Sequence, residues 1–76
     1  MEIQERIRKD LDKFNESLRK IDTVALNEKE SGIIEMAKLY ARDSAAFEEK
    51  MDYYTSFASI SYAHGLLDAV LKLHAE

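Results

Sequence analysis

The chain has 76 residues, of which 46% are hydrophobic and 34% charged, and a net charge of −4. That length bounds it at one domain with little material for both a core and an enclosed active site, and the apolar fraction is that of a globular chain, not a disordered one. With no proline, no cysteine and two glycines, loop-rich and most all-β architectures, disulfide frameworks, thiolate metal sites and cysteine nucleophiles are excluded, and the acidic balance argues against a polyanionic partner.

Residues 1–10 mix charges of both signs with isolated isoleucines and lack the apolar core of an export signal. The longest stretch free of Asp, Glu, Lys and Arg, 53–67, is 15 residues long, short of the ~20 that a membrane span needs. A cytoplasmic chain without membrane contact is the expectation.

Ile3, Ile7, Leu11, Phe14, Leu18 and Ile21 follow one another at spacings of 4, 4, 3, 4 and 3, which keeps them on one face of a helix over 3–21. Between them the residues are almost all charged or amide, and Glu5 to Lys9 and Glu16 to Lys20 have the favourable i, i+4 order. The pattern lapses after Ile21. Asn27 followed by Glu30 then forms a capping-box signature, so a second helix starts at 28, with Gly32 inside its first turns at a cost of ~1 kcal/mol that makes a later start at Ser31 the alternative. Its stripe is Ile33, Ala37, Tyr40, Ser44, Phe47 and Met51, widened by Ile34, Met36, Ala41 and Ala45, as for a helix with two neighbours.

Asp52 is a good N-cap, which places a break near residue 50 and a third helix over 53–74. No Gly or Pro lies between Gly32 and Gly65, so a continuous second and third helix in an oligomer is the alternative. Such a helix would be ~70 Å long and would leave most of its apolar surface bare in a monomer, which favours the break. The third segment is the least polar: Phe57, Ile60, His64, Leu67 and Leu71 form one stripe, and Ala58, Ser61, Gly65 and Ala69 a small-residue stripe beside it. A helix apolar nearly all round has to be covered nearly all round. Two partner helices do not suffice, which points to a further protein surface.

His64 and Asp68 stand at i, i+4 on one helix face. An Asp that orients an imidazole is a recurring catalytic arrangement, but no second ligand lies at metal spacing and no nucleophile completes the set. The plainer reading is a half-buried histidine satisfied by Asp68. His74 in the last turn suits a helix C-terminus. Tyr40, Phe47 and Phe57 fall on core stripes, whereas Tyr53, Tyr54 and Tyr62 are less well placed inside and suit a protein interface. Basic residues are interleaved with acids throughout the first helix, so no stripe of one sign forms for a phosphate backbone.

The run Glu35-Met36-Ala37-Lys38, with Tyr40, Asp43, Phe47, Asp52-Tyr53, Phe57-Ala58, Ile60, Tyr62-Ala63-His64-Gly65 and Leu67-Asp68-Ala69, resembles the small archaeal family catalogued as domain of unknown function 357. The resemblance covers roughly residues 33–70 and implies a compact three-helix bundle, an archaeal source and no established activity. The family pattern commonly has a glycine before the Asp-Tyr pair, where this chain has Met51; glycine there would supply a left-handed helix terminus. A looser resemblance is to a single tetratricopeptide-type helical hairpin, with Asp52-Tyr53 opening its second helix. A nucleotide- or RNA-handling domain of the HEPN type is more distant still. The Arg-x(4–6)-His element of that type is missing before His64, since positions 57–60 read Phe-Ala-Ser-Ile.

The sequence therefore leads to one all-α domain over 1–76, a three-helix up-down-up bundle with helices at 3–21, 28–50 and 53–74. Its expected function is non-enzymatic: a protein-interaction module that forms a homo-oligomer, with a dimer favoured, or binds a protein partner. No catalytic residue, metal, cofactor or nucleic acid is expected. The expected interaction surface is Tyr53, Tyr54, Tyr62, His64 and Asp68. The alternative is a nucleotide- or RNA-processing accessory domain that uses His64 and Asp68.

Overall fold

Periodicity and capping place three helices, and a computed structural model describing residues 2–75 contains them as α1 (Ile3–Ile21), α2 (Glu28–Glu49) and α3 (Tyr53–His74). The first and last positions of the expected domain lie outside the described residues. No strand occurs among the described residues, and the architecture is an all-α three-helix bundle.

The start of α2 is fixed by the capping box. The Asn27 side chain accepts from the Glu30 amide at 2.8 Å, and Glu30 Oε1 accepts from the Asn27 amide at 3.0 Å. Between α2 and α3 the chain reverses in three residues. The Asp52 amide donates to the Phe47 carbonyl at 2.9 Å and the Met51 amide to the Glu48 carbonyl at 3.0 Å, the paired bonds of a Schellman terminus. Met51 supplies the left-handed residue that this motif needs, at φ 63°. Asp52 then caps α3 by accepting from the Thr55 amide at 3.3 Å. The helix therefore breaks, and the long continuous alternative does not occur.

Ile7, Phe14 and Ile21 of α1, Ile34 and Ala37 of α2, and Ile60, Ala63, Leu67 and Val70 of α3 are buried. Taking each of the Ile, Leu, Val and Phe side chains among them out of water contributes about 1.5–3 kcal/mol. Leu11 and Leu18, on the same α1 stripe, are only half-buried. Near the α2–α3 turn the two helices meet through small residues instead. Buried Ser44 donates from Oγ to the Ser56 carbonyl, and Ser56 Oγ donates to the Ser44 carbonyl, each at 2.7 Å. These reciprocal bonds satisfy both hydroxyls and let the backbones approach closely, where an unpaired buried hydroxyl would cost about 1–3 kcal/mol.

Two expectations about the core are corrected. Tyr40, placed by its stripe inside, is 36% exposed. The buried line of α2 runs through Glu30, Ile34, Ala37 and Ser44: it keeps Ala37 and Ser44 of the expected stripe but is centred towards its Ile34 edge, which leaves Tyr40 and Met51 outside. Phe47 and Phe57 are half-buried, and a cation sits over each ring: Arg6 at 5.5 Å from the Phe57 centroid and Lys50 at 6.0 Å from that of Phe47.

Candidate functional site

The five residues expected to form one surface lie in three places. Tyr53 faces α1, its hydroxyl accepting from Gln4 Nε2 at 2.9 Å. Tyr54, 89% exposed, lines a shallow hollow with Ile3, Met51 and Tyr53 at the α2–α3 turn. His64 and Asp68 line an open cleft between α1 and α3 with Arg6, Asp10, Lys13 and Ser61. Tyr62 is two residues from His64, roughly 200° round the helix, and so stands on a different face.

In the cleft, His64 is half-buried, as the plainer reading holds, but its partner is not Asp68. Its Nε2 lies 2.6 Å from the backbone carbonyl of Asp10. A carbonyl can only accept, so the ring carries its proton on Nε2 and donates across to α1. Phe14 meets the ring edge-on, centroids 5.7 Å apart. His64 is thus a strut between α3 and the middle of α1. Asp68 is exposed, and the nearby carboxylate of Asp10 pairs with Arg6 Nε at 3.3 Å. The geometry brings a histidine, a serine hydroxyl and four charged side chains to one cleft, but no hydrogen bond joins Ser61, His64 and Asp68 in a relay. Among the described residues, no three His, Asp or Glu side chains stand close enough to hold a metal ion.

His74 also has a partner that sequence reasoning missed. Its Nε2 lies 2.8 Å from Glu30 Oε2, so the end of α3 is tied to the beginning of α2 through the capping-box glutamate. The Asn27 amide donating to Glu30 holds its carboxyl below the usual carboxylate range; burial opposes this, and the bond and charge of His74 reinforce it.

On the side of the α2–α3 hairpin away from α1, apolar side chains stand uncovered. Met36 is 44% exposed, Tyr62 50% and Leu73 69%. Tyr40 and Tyr62 meet edge-on across the two helices, centroids 4.7 Å apart and planes at 77°. Ile33, Met36 and Tyr40 are spaced 3 and 4 along α2, while Tyr62, Leu66, Ala69 and Leu73 are spaced 4, 3 and 4 along α3. These are two helical stripes side by side on one face of the hairpin. Tyr62 was expected at an interface; Tyr40, Met36 and Leu73 were not. The signal for Met36 and Tyr40 was present in α2, which carries two apolar stripes where a single covered face needs one.

A family described as "Protein of unknown function (DUF357)" matches residues 9–75. No curated protein matches the chain.

Proposed function

Because the chain belongs to the DUF357 family, whose description carries no activity, we propose its function from geometry: a non-enzymatic helical interaction module of the cytoplasm that pairs with a second copy of itself through the outer face of the α2–α3 hairpin. The observation that supports this is the exposed Tyr40–Tyr62 pair with Met36 and Leu73 beside it. Aromatic residues and methionine are the types enriched where proteins meet. An interface of ordinary size takes about 800 Å² from each partner, roughly a seventh of this molecule's 5415 Å². Two stripes of three or four apolar side chains are suited to the centre of such a patch, and a two-fold axis through it would set Tyr62 of one copy near Tyr40 of the other.

Sedimentation equilibrium tests the reading. The wild-type chain is expected to be dimeric at tens of micromolar. Met36→Glu combined with Tyr62→Glu, both at exposed positions, is expected to leave a folded monomer. A wild-type chain that stays monomeric across that range contradicts self-association.

The cleft favours a second reading, a nucleotide- or RNA-processing accessory role using His64 and Asp68, because Arg6, Lys13 and the His64 ring converge there. NMR of the His64 ring with nucleotides and divalent metals discriminates. Ligand-dependent shifts at His64 and Asp68 support this role, and their absence retires it.

A further inference from the structure

The third side of the bundle, between α1 and α2, is open. α1 is fastened to α3 by His64, Tyr53 and the Arg6–Phe57 contact, whereas the ion pair that reaches from α1 to α2 is Arg8–Glu48 at 3.5 Å. Beyond that bridge the two helices flank a groove of about 330 Å³ with Leu11, Phe14, Leu18, Ala41 and Ala45 along it. It continues along α1 past Asn15 and Leu18 into a second hollow of about 180 Å³ that reaches Asp22. From Leu11 to Asp22 the groove spans about 17 Å of α1, three helical turns. This openness is why Leu11 and Leu18, which carry the right spacing for the core, remain half-buried.

The charges on this groove run against those of the molecule. The net charge is −4, yet the charged side chains lining the larger hollow are Lys38 and Arg42, with no carboxylate among its lining residues; Lys38 also meets Glu35 at 3.5 Å, an exposed pair of the kind that contributes little and exchanges readily. The smaller hollow adds Arg19 beside Asp22. Ala41 and Ala45, one turn apart, keep the α2 wall low enough for a helix to lie against it.

We propose that the α1–α2 groove is a docking site for an acidic amphipathic helix of a partner protein, which completes a four-helix bundle. The partner helix places a leucine-type stripe on Leu11, Leu18, Ala41 and Ala45 and its carboxylates against Lys38, Arg42 and Arg19. This surface is separate from the α2–α3 face proposed for self-pairing.

The probe is a labelled helical peptide of about four turns, leucine on one face and glutamate on its flanks, compared with the same peptide carrying lysine in place of glutamate. Non-specific attraction to an acidic chain would favour the lysine peptide, so the expected order is a sharp one: the glutamate peptide binds at least about tenfold tighter. Lys38→Glu with Arg42→Glu is expected to reverse that order, and Ala45→Trp, at an exposed position, to abolish binding of the glutamate peptide while the far-ultraviolet spectrum stays unchanged. The proposal is overturned by a lysine peptide that binds wild type as well or better, by binding indifferent to either variant, or by no binding of the glutamate peptide. Its failure leaves self-association untouched, because neither variant alters Met36, Tyr40 or Tyr62.

Discussion

Met51 sits in the left-handed region at φ 63°, a conformation that costs a residue with a Cβ roughly 1–2 kcal/mol. Its side chain is 73% exposed, so little packing offsets that cost. The strain persists because the Schellman bonds before it and the Asp52 cap after it both require the reversal. Met51→Gly is therefore expected to stabilise the fold by about 1 kcal/mol, a rise in Tm of roughly 4–8 °C for a domain of this size. Thermal unfolding followed by circular dichroism measures it, and a variant no more stable than wild type contradicts this account of the turn. Strain of this kind differs from the polar contacts at Ser44, Ser56 and His64, where every hydroxyl or ring donor involved has found an acceptor. Those residues fix how close the helices come and at what height they meet.

At the scale of the element, Glu30 links helix capping to helix packing. It closes the capping box with Asn27 and holds His74 across the bundle. Its folded-state carboxyl is shifted below its ordinary value, first by the Asn27 amide. A depressed carboxylate contributes stability that is present above the unfolded value of about 4.3 and lost as the pH falls through the folded value. Glu30→Gln keeps the capping-box acceptor and removes the charge. Urea midpoints at neutral and acid pH are expected to fall less for this variant than for wild type, and an equal acid loss in both contradicts the role assigned to Glu30.

The helix boundaries were legible because local chemistry sets them. Asn27 with Glu30, and Asp52 with its own third amide, act within one turn, and the α1 stripe admits a single buried face. Which face of α2 and α3 turns inward was legible in part: Ala37, Ser44, Ile60 and Leu67 lie on the expected stripes and are buried, and Phe57, His64 and Leu71 are half-buried, but Tyr40 and Met51 are exposed. Each carries more than one apolar stripe, and the choice is made by small residues. Ser44, Ser56 and Ala63 are buried because they let the helices approach, while the bulkier Tyr40 and Tyr62 are left outside. The partners of His64 and His74 were equally hidden. They are a main-chain carbonyl 54 residues away and a carboxylate 44 residues away, and no spacing rule reaches that far.

For the molecule as a whole, the bundle covers its own core but not its own surface evenly. α3 takes most of the packing, yet it keeps Tyr54, Tyr62 and Leu73 outside. Among the described residues no helix is long and apolar enough to cross a membrane. The chain lacks cysteine, so a single introduced thiol reports one position without ambiguity. Spin labels placed by Ala69→Cys on the outer α3 face and by Glu5→Cys on α1, in separate samples, measure the distance between copies by pulsed electron resonance. Pairing through the outer α2–α3 face gives a short inter-label distance for residue 69 and a clearly longer one for residue 5; a residue-69 sample with no dipolar signal, or with the longer of the two distances, contradicts that pairing.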